Sequence, residues 1–198
     1  QLNVVMITVL ASFLAQGSIS YLYYADRLVQ FPLGVFGVAV STAALPSLSS
    51  LVGSEKMQEF VRTLNSTLGL VLFISLPAMT GLIALREPLV DILFGRGAFG
   101  SQSVHETALA LVGYSLGLPA FCAVRSLVSA FYAREDTRSP VLAAAICMLL
   151  NIALGFILMQ YLRHIGLALA VAVSSWLNIF LLGIFLRRHI GAWFIWHR

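Results

Sequence analysis

Charged side chains are scarce in this chain: Asp, Glu, Lys and Arg make up 10% of its 198 residues. A soluble domain carries about 25% of such residues. Hydrophobic residues make up 60% of the chain, and the mean hydropathy is +0.93. The scarcity of charge excludes an ordinary soluble domain and predicts a protein that is embedded in a membrane.

Motifs for metal, cofactor and catalytic chemistry are also missing. Cys122 and Cys147 lie within apolar runs and form no CxxC pair, so we interpret both as small buried hydrophobic residues. The four histidines have no metal-ligand spacing. Gly95 and Gly97 flank Arg96 without the Lys-Ser/Thr pair of a phosphate-binding loop. Since no catalytic Ser or carboxylate motif occurs either, the sequence predicts no metal, no cofactor and no enzyme.

The net charge of +4 does not indicate a nucleic-acid partner, because no basic stripe is interleaved with exposed aromatic residues. The basic residues fall mostly between apolar runs, where they set the orientation of a membrane protein.

Long apolar runs are what the sequence has in place of charge. They are long enough for helices that cross about 30 Å of hydrocarbon, and the ten-residue alternation of a membrane barrel is absent. We predict an all-α polytopic membrane protein in which residues 1–198 form a single lobe of six transmembrane helices. The predicted spans are residues 1–16, 21–46, 64–85, 107–133, 141–162 and 166–186. Since Gln1 begins partway into an apolar run, we expect a longer protein.

The distribution of Lys and Arg predicts the orientation of these spans. Seven basic residues fall on one side, which we expect to be cytoplasmic, and three fall on the other. The seven are Lys56, Arg62, Arg134, Arg138, Arg187, Arg188 and Arg198, and the three are Arg86, Arg96 and Arg163.

Asp26 and Arg27 interrupt the second apolar run. A charge at membrane depth costs several kcal/mol, so it normally faces a protein interior or a wet cavity. A polar stripe at helical spacing continues from this pair and predicts one face of the helix. Its members are Asp26, Gln30, Gly34, Gly37 and Ser41. Arg27 lies roughly 10 Å deep, so snorkelling beside a local Asp26–Arg27 pair is the structural alternative to a cavity.

Arg125 is the second cation within a span, and no acidic residue lies three or four positions away from it. Snorkelling and a place in a cavity are both open for this residue. Pro32, Pro77 and Pro119 interrupt three of the spans and are candidate hinges.

Three ordered stretches resemble the MurJ (MviN) family of lipid II flippases. They are YYADRLVQFPLGVFGVAVSTAALPSLS from Tyr23, LREPLVDILFGRGAF from Leu85 and GLPAFCAVRSLVSAFYAREDTRSPV from Gly117. The resemblance covers nearly the whole chain.

The resemblance implies one half of a transporter with two six-helix lobes, from a superfamily of drug and polysaccharide exporters. The chain would be the second lobe, helices seven to twelve, without the first lobe and without two C-terminal helices that form a lipid-binding groove. Its implied activity moves lipid II, an undecaprenyl-pyrophosphate-linked peptidoglycan precursor, to the outer leaflet of the bacterial inner membrane for cell-wall synthesis.

The same resemblance implies roles for individual residues. Asp26 and Arg27 match the Ala-Asp-Arg element, which places Arg27 in a cationic substrate cavity. Arg125 matches a position that is commonly basic, and Gln30 one that can be acidic. Two alternatives stay open: a drug or polysaccharide exporter of the same superfamily, and a membrane scaffold for wall synthesis that transports nothing.

Overall fold

The computed structural model describes residues 8–14, 17–97 and 99–190, and these residues form helices joined by short turns. No strand occurs in these ranges, which confirms the all-α prediction. The helices are α1 (residues 8–12), α2 (Ser18–Pro32), α3 (Ala39–Gly53), α4 (Met57–Ala84), α5 (Arg86–Phe94), α6 (Ser101–Ser115) and α7 (Leu118–Ala133), followed by a helical stretch from Arg138 to Ile190.

That last stretch is a hairpin of two helices. Arg163 has non-helical angles, with φ 50 and ψ -134, and divides the stretch into α8 (residues 138–162) and α9 (residues 164–190). A Cβ built on Gly155 would lie 3.3 Å from Leu167 Cδ2. Residues twelve apart would lie about 18 Å apart in a continuous helix. The chain therefore folds back at Arg163, inside the turn that separates the last two predicted spans.

A π-helical segment, Leu33–Val38, joins α2 to α3 in one continuous rod of 36 residues. Pro32 lies just before it. Proline has no N–H and leaves the carbonyl four residues earlier without its helical partner, so the regular ladder is interrupted here. A π-helical turn holds more residues than an α-helical turn because its hydrogen bonds join residues five apart.

The π-helical segment corrects the predicted polar stripe. Gly37 and Ser41 are buried against α7, whereas Asp26 is half-buried and Gln30 and Gly34 are exposed. The prediction of one shared face was therefore wrong, because the extra residue in the π turn rotates the following positions around the axis. Only the first part of the stripe stays on the rim of the lobe.

Helices α6 and α7 form the centre of the lobe, with α2, α3, α4 and α9 packed around them. They meet at a bend of 40°, at the position of Gly117 and Pro119. Trp176 of α9 donates a hydrogen bond from its indole N–H to the Leu116 carbonyl, at 3.1 Å, and so partners a backbone group at the bend.

The two ends of the lobe differ in character. At one end Arg134 Nη1 lies 3.6 Å from Met57 Sδ, which brings the α3–α4 and α7–α8 turns and their basic residues together. At the other end the buried His164 ring lies 3.1 Å from the Glu106 carbonyl and packs on Tyr21. The two turns that carry Lys56, Arg134 and Arg138, which the orientation argument assigned to one side, therefore share one end.

The surface of the lobe is strongly apolar. Phe13, Phe31 and Phe73 are each more than 70% exposed. Exposed apolar area on this scale marks a surface that meets lipid or protein instead of water. Cys122 and Cys147 are free and buried, as predicted.

Within the described residues, length and composition allow three helical stretches to cross a membrane, or four if the bent α6–α7 pair is counted as one span. The third stretch, Arg138–Arg188, contains both helices of the hairpin. The first predicted span, residues 1–16, lies largely outside the described residues, and the six-span organisation stays a prediction.

Candidate functional site

The charged residues of α2 form a network along one edge of that helix. Arg27 donates from Nη2 to the Tyr23 hydroxyl at 3.1 Å and from Nη1 to Gln30 Oε1 at 3.5 Å. The Arg27 guanidinium also lies 4.8 Å from the centroid of the Tyr23 ring. Gln30 in turn donates from Nε2 to the Asp26 carboxylate. All four side chains are spaced three or four residues apart, which is the spacing at which helical neighbours touch.

Gln30 separates the two opposite charges. Its amide accepts from Arg27 and donates to Asp26, and the pair Asp26–Arg27 makes no ion pair in the described part of the chain. The groups that hydrogen-bond the guanidinium are neutral, so no carboxylate occupies its N–H donors. Arg27 and Gln30 are exposed at the rim of this lobe. The direct pairing weighed from the sequence is not formed.

Tyr23 is a site residue that the sequence argument left out. It lies four residues before Arg27 and is 52% exposed. Long helical side chains lean toward the N-terminus, so an arginine reaches the residue one turn before it. That spacing was the available signal. The Tyr23 ring and hydroxyl hold the guanidinium in place without removing its charge.

Arg125 lies far from this network. Its neighbour Ser126 contacts Ser41, with 3.1 Å between the two hydroxyl oxygens. Ser41 follows Arg27 by fourteen positions in the same rod, so the two arginines lie about 20 Å apart along its axis. Arg125 is exposed, and its guanidinium has no hydrogen bond or ion pair within the ranges that the structure describes.

The three prolines occupy different local settings. Pro32 precedes the π-helical segment and Pro119 stands at the 40° bend, whereas α4 continues through Pro77 to Ala84. Their role as hinges stays a prediction. Among the described residues no group of three or more His, Cys, Asp or Glu side chains could hold a metal ion.

An all-α lobe with a strongly apolar surface, and with an arginine exposed on a long apolar rod, fits one lobe of a membrane transporter. Residues 1–196 match the family described as "Lipid II flippase MurJ". This chain belongs to that family.

Individual relatives agree with the family match. The chain is 40% identical over 182 residues to "Probable lipid II flippase MurJ" of Vibrio cholerae serotype O1, covering 92% of this chain and 35% of that protein. The protein of the same description from Rhizobium meliloti is 39% identical, with 92% and 34% covered. A solved structure, "Lipid II flippase MurJ, inward closed conformation", matches with TM-score 0.86 and 35% identity over 94% of this chain and 40% of that one.

The chain therefore spans about a third of the length of the curated relatives that it matches. The match confirms the family and the transporter-lobe fold that the three sequence stretches indicated.

Proposed function

We propose that this chain is the second six-helix lobe of a flippase that moves lipid II from the inner to the outer leaflet of the bacterial cytoplasmic membrane. The single observation that carries the proposal is the Arg27 guanidinium, held at the exposed rim of the lobe by neutral partners. A charge is costly within a bilayer unless it faces a polar partner or a wet space. In a two-lobe transporter the exposed rim of one lobe can face the other across a cavity.

The chemistry of the substrate fits an arginine. Lipid II carries a pyrophosphate on a polyprenyl chain, and the planar guanidinium can donate two parallel hydrogen bonds to phosphate oxygens. Because the partners of Arg27 are uncharged, a phosphate does not have to displace a carboxylate to reach it.

Arg125 supplies a second cationic station about 20 Å along the axis. An anion that enters near one leaflet and leaves near the other would meet the two cations in turn, as the lobes rock between inward- and outward-open states. An inside-negative potential favours outward movement of an anion by about 2.3 kcal/mol per charge per 100 mV. Pro32, Pro77 and Pro119 are the candidate hinges for this motion.

The experiment compares lipid II export by three variants of the full-length protein with wild type. Arg27→Ala should abolish export. Arg27→Lys should restore part of it, because lysine has the positive charge but lacks the planar pair of guanidinium donors. The matched control is Arg62→Ala, which removes an exposed arginine from α4 at the basic end. Wild-type export by the Arg27→Ala variant at equal membrane abundance would refute the role of the anion site.

A further inference from the structure

An apolar groove opens beside the charged network, between α2, α4 and α5. Its volume is about 550 Å³, within the range of small-molecule sites. All of its lining residues are apolar: Leu28, Phe31, Pro32, Ala78, Gly81, Leu82, Leu85, Leu89 and Leu93. The groove exists because α2 packs closely on α6 and has little direct contact with α4.

The α2 wall of the groove is continuous with the charged network. Leu28 follows Arg27 directly, and Phe31 lies one turn beyond Arg27 on the same face of the helix. Residues at that spacing have Cβ atoms about 5–6 Å apart. Phe31 is 73% exposed, so no described part of the chain covers this wall. A cation and an apolar slot therefore stand side by side on one helix.

This juxtaposition has the chemistry of an amphiphile site. We infer that the groove holds one segment, the part nearest the pyrophosphate, of the hydrocarbon chain of the anionic prenyl lipid whose pyrophosphate lies at Arg27. The inference rests on the proposed function. It adds a site for this segment within the lobe, between α2, α4 and α5, apart from the lipid-binding groove that the resemblance assigns to two C-terminal helices.

Binding of the headgroup at Arg27 explains why the prenyl chain, and not the tail of a bulk phospholipid, would fill the groove. Lipid tails are as apolar as leucine, so an apolar slot in a bilayer selects by packing and not by hydrophobicity. A head bound at Arg27 presents its own chain to the groove at high effective concentration. Occupancy by the prenyl chain should therefore depend on Arg27.

Gly81 provides a way to fill the groove without disturbing the lobe. It lines the groove, and a Cβ built on it meets nothing within 4 Å. Gly69 is the matched control, since it lies on the same helix, has the same open surroundings and does not line the groove. Leucine is a better helix former than glycine, so both Gly→Leu variants should fold.

The test uses full-length protein in bilayer nanodiscs and a polyprenyl pyrophosphate with a photoreactive diazirine in its chain. We expect light-induced labelling of residues 78–93 in wild type and in Gly69→Leu. Labelling of these residues should be lost in Gly81→Leu, because the leucine side chain occupies the space in the groove that the prenyl chain would fill. It should also fall in Arg27→Ala, whereas labelling by phosphatidylcholine with the same diazirine should not depend on Arg27.

Three results would overturn the inference. If Gly81→Leu were labelled as strongly as wild type, the prenyl chain would lie elsewhere. If both lipids labelled the groove equally and independently of Arg27, the groove would hold ordinary surrounding lipid. Absence of labelling in wild type, with a lowered melting temperature of lipid-free Gly81→Leu, would mean that another segment of the protein covers the groove. Export is measured in parallel to separate the two proposals. If Arg27→Ala loses export while any of these three results is found, the inferred site for the prenyl chain is wrong and the flippase assignment stands.

Discussion

The two arginines within the apolar helices of this lobe are held in opposite ways. Arg27 has the Tyr23 ring and hydroxyl on one side and the Gln30 amide on the other. Arg125 has no such partner in the part of the chain that the structure describes, although its neighbour Ser126 is fixed by Ser41. One cation is oriented before a ligand arrives, and the other is anchored only by its backbone.

This difference teaches what each position can contribute to anion binding. An oriented guanidinium loses little side-chain freedom on binding and can use its fork geometry, so it gives affinity and selectivity. A mobile guanidinium supplies charge to whichever phosphate oxygen is near. The comparison leads us to expect a strict chemical requirement at Arg27 and a looser one at Arg125.

The largest expected effect comes from removing each cation in turn from the full-length protein. Arg27→Ala should weaken binding of a polyprenyl pyrophosphate by more than about 100-fold, because it removes two charge-assisted hydrogen bonds of about 1.5–3 kcal/mol each. Arg125→Ala should weaken it only about tenfold, since a mobile side chain must be ordered on binding. Equilibrium binding in nanodiscs measures both. Equal losses would remove the distinction between the two arginines.

The next effect tests whether Tyr23 orients Arg27. Tyr23→Ala removes the hydrogen bond and the ring contact that orient the guanidinium. The side chain must then be ordered when the anion binds, which costs about 0.5–1.5 kcal/mol, so we expect the same binding to weaken up to about tenfold. Tyr23→Phe keeps the ring and should lose only part of that. Tyr132, exposed on α7 and outside the network, provides the control as Tyr132→Ala. If Tyr23→Ala matched the control, the guanidinium would not need its partners.

The sequence alone predicted the helical class, and it singled out the Asp26–Arg27 pair as a candidate site, because both inferences follow from local composition. Charge is so rare in the apolar runs that any charged residue within them stands out. The uninterrupted length of the apolar runs likewise favours helices over strands.

Two features could not be predicted from single-helix geometry. The change of helix face between Gln30 and Gly37 depends on a π-helical turn, and the only sequence signal for that turn is the proline before it. The groove beside Leu28 has one wall from α2 and the other from the consecutive helices α4 and α5, which are distant from α2 in sequence. Helical spacing gives neighbours on one helix and says nothing of gaps between helices.

A smaller effect should separate fork geometry from charge. Arg27→Lys should weaken binding about fivefold, less than the loss of a full charge-assisted hydrogen bond, because the ammonium keeps the charge and its donors can rotate towards the phosphate. Arg125→Lys should change binding less than twofold, because a mobile cation acts as a point charge. Isothermal titration with pyrophosphate and prenyl pyrophosphate tests both substitutions. A loss at Arg125 as large as that at Arg27 would show that both positions depend on the fork.

The smallest expected effect concerns the amide that separates Asp26 from Arg27. Gln30→Glu places a carboxylate beside the guanidinium, so the anion must compete with an internal one. Because Gln30 is exposed, solvent screens this charge, and we expect binding to weaken about threefold, in keeping with ion pairs of 0–1 kcal/mol at exposed sites. The loss should shrink as salt is raised, since screening weakens exposed pairs. Gln30→Met breaks the same hydrogen bonds without adding charge and should show no such salt dependence. Unchanged or tighter binding by Gln30→Glu at low salt would mean that the positive charge of Arg27 is not what the anion meets.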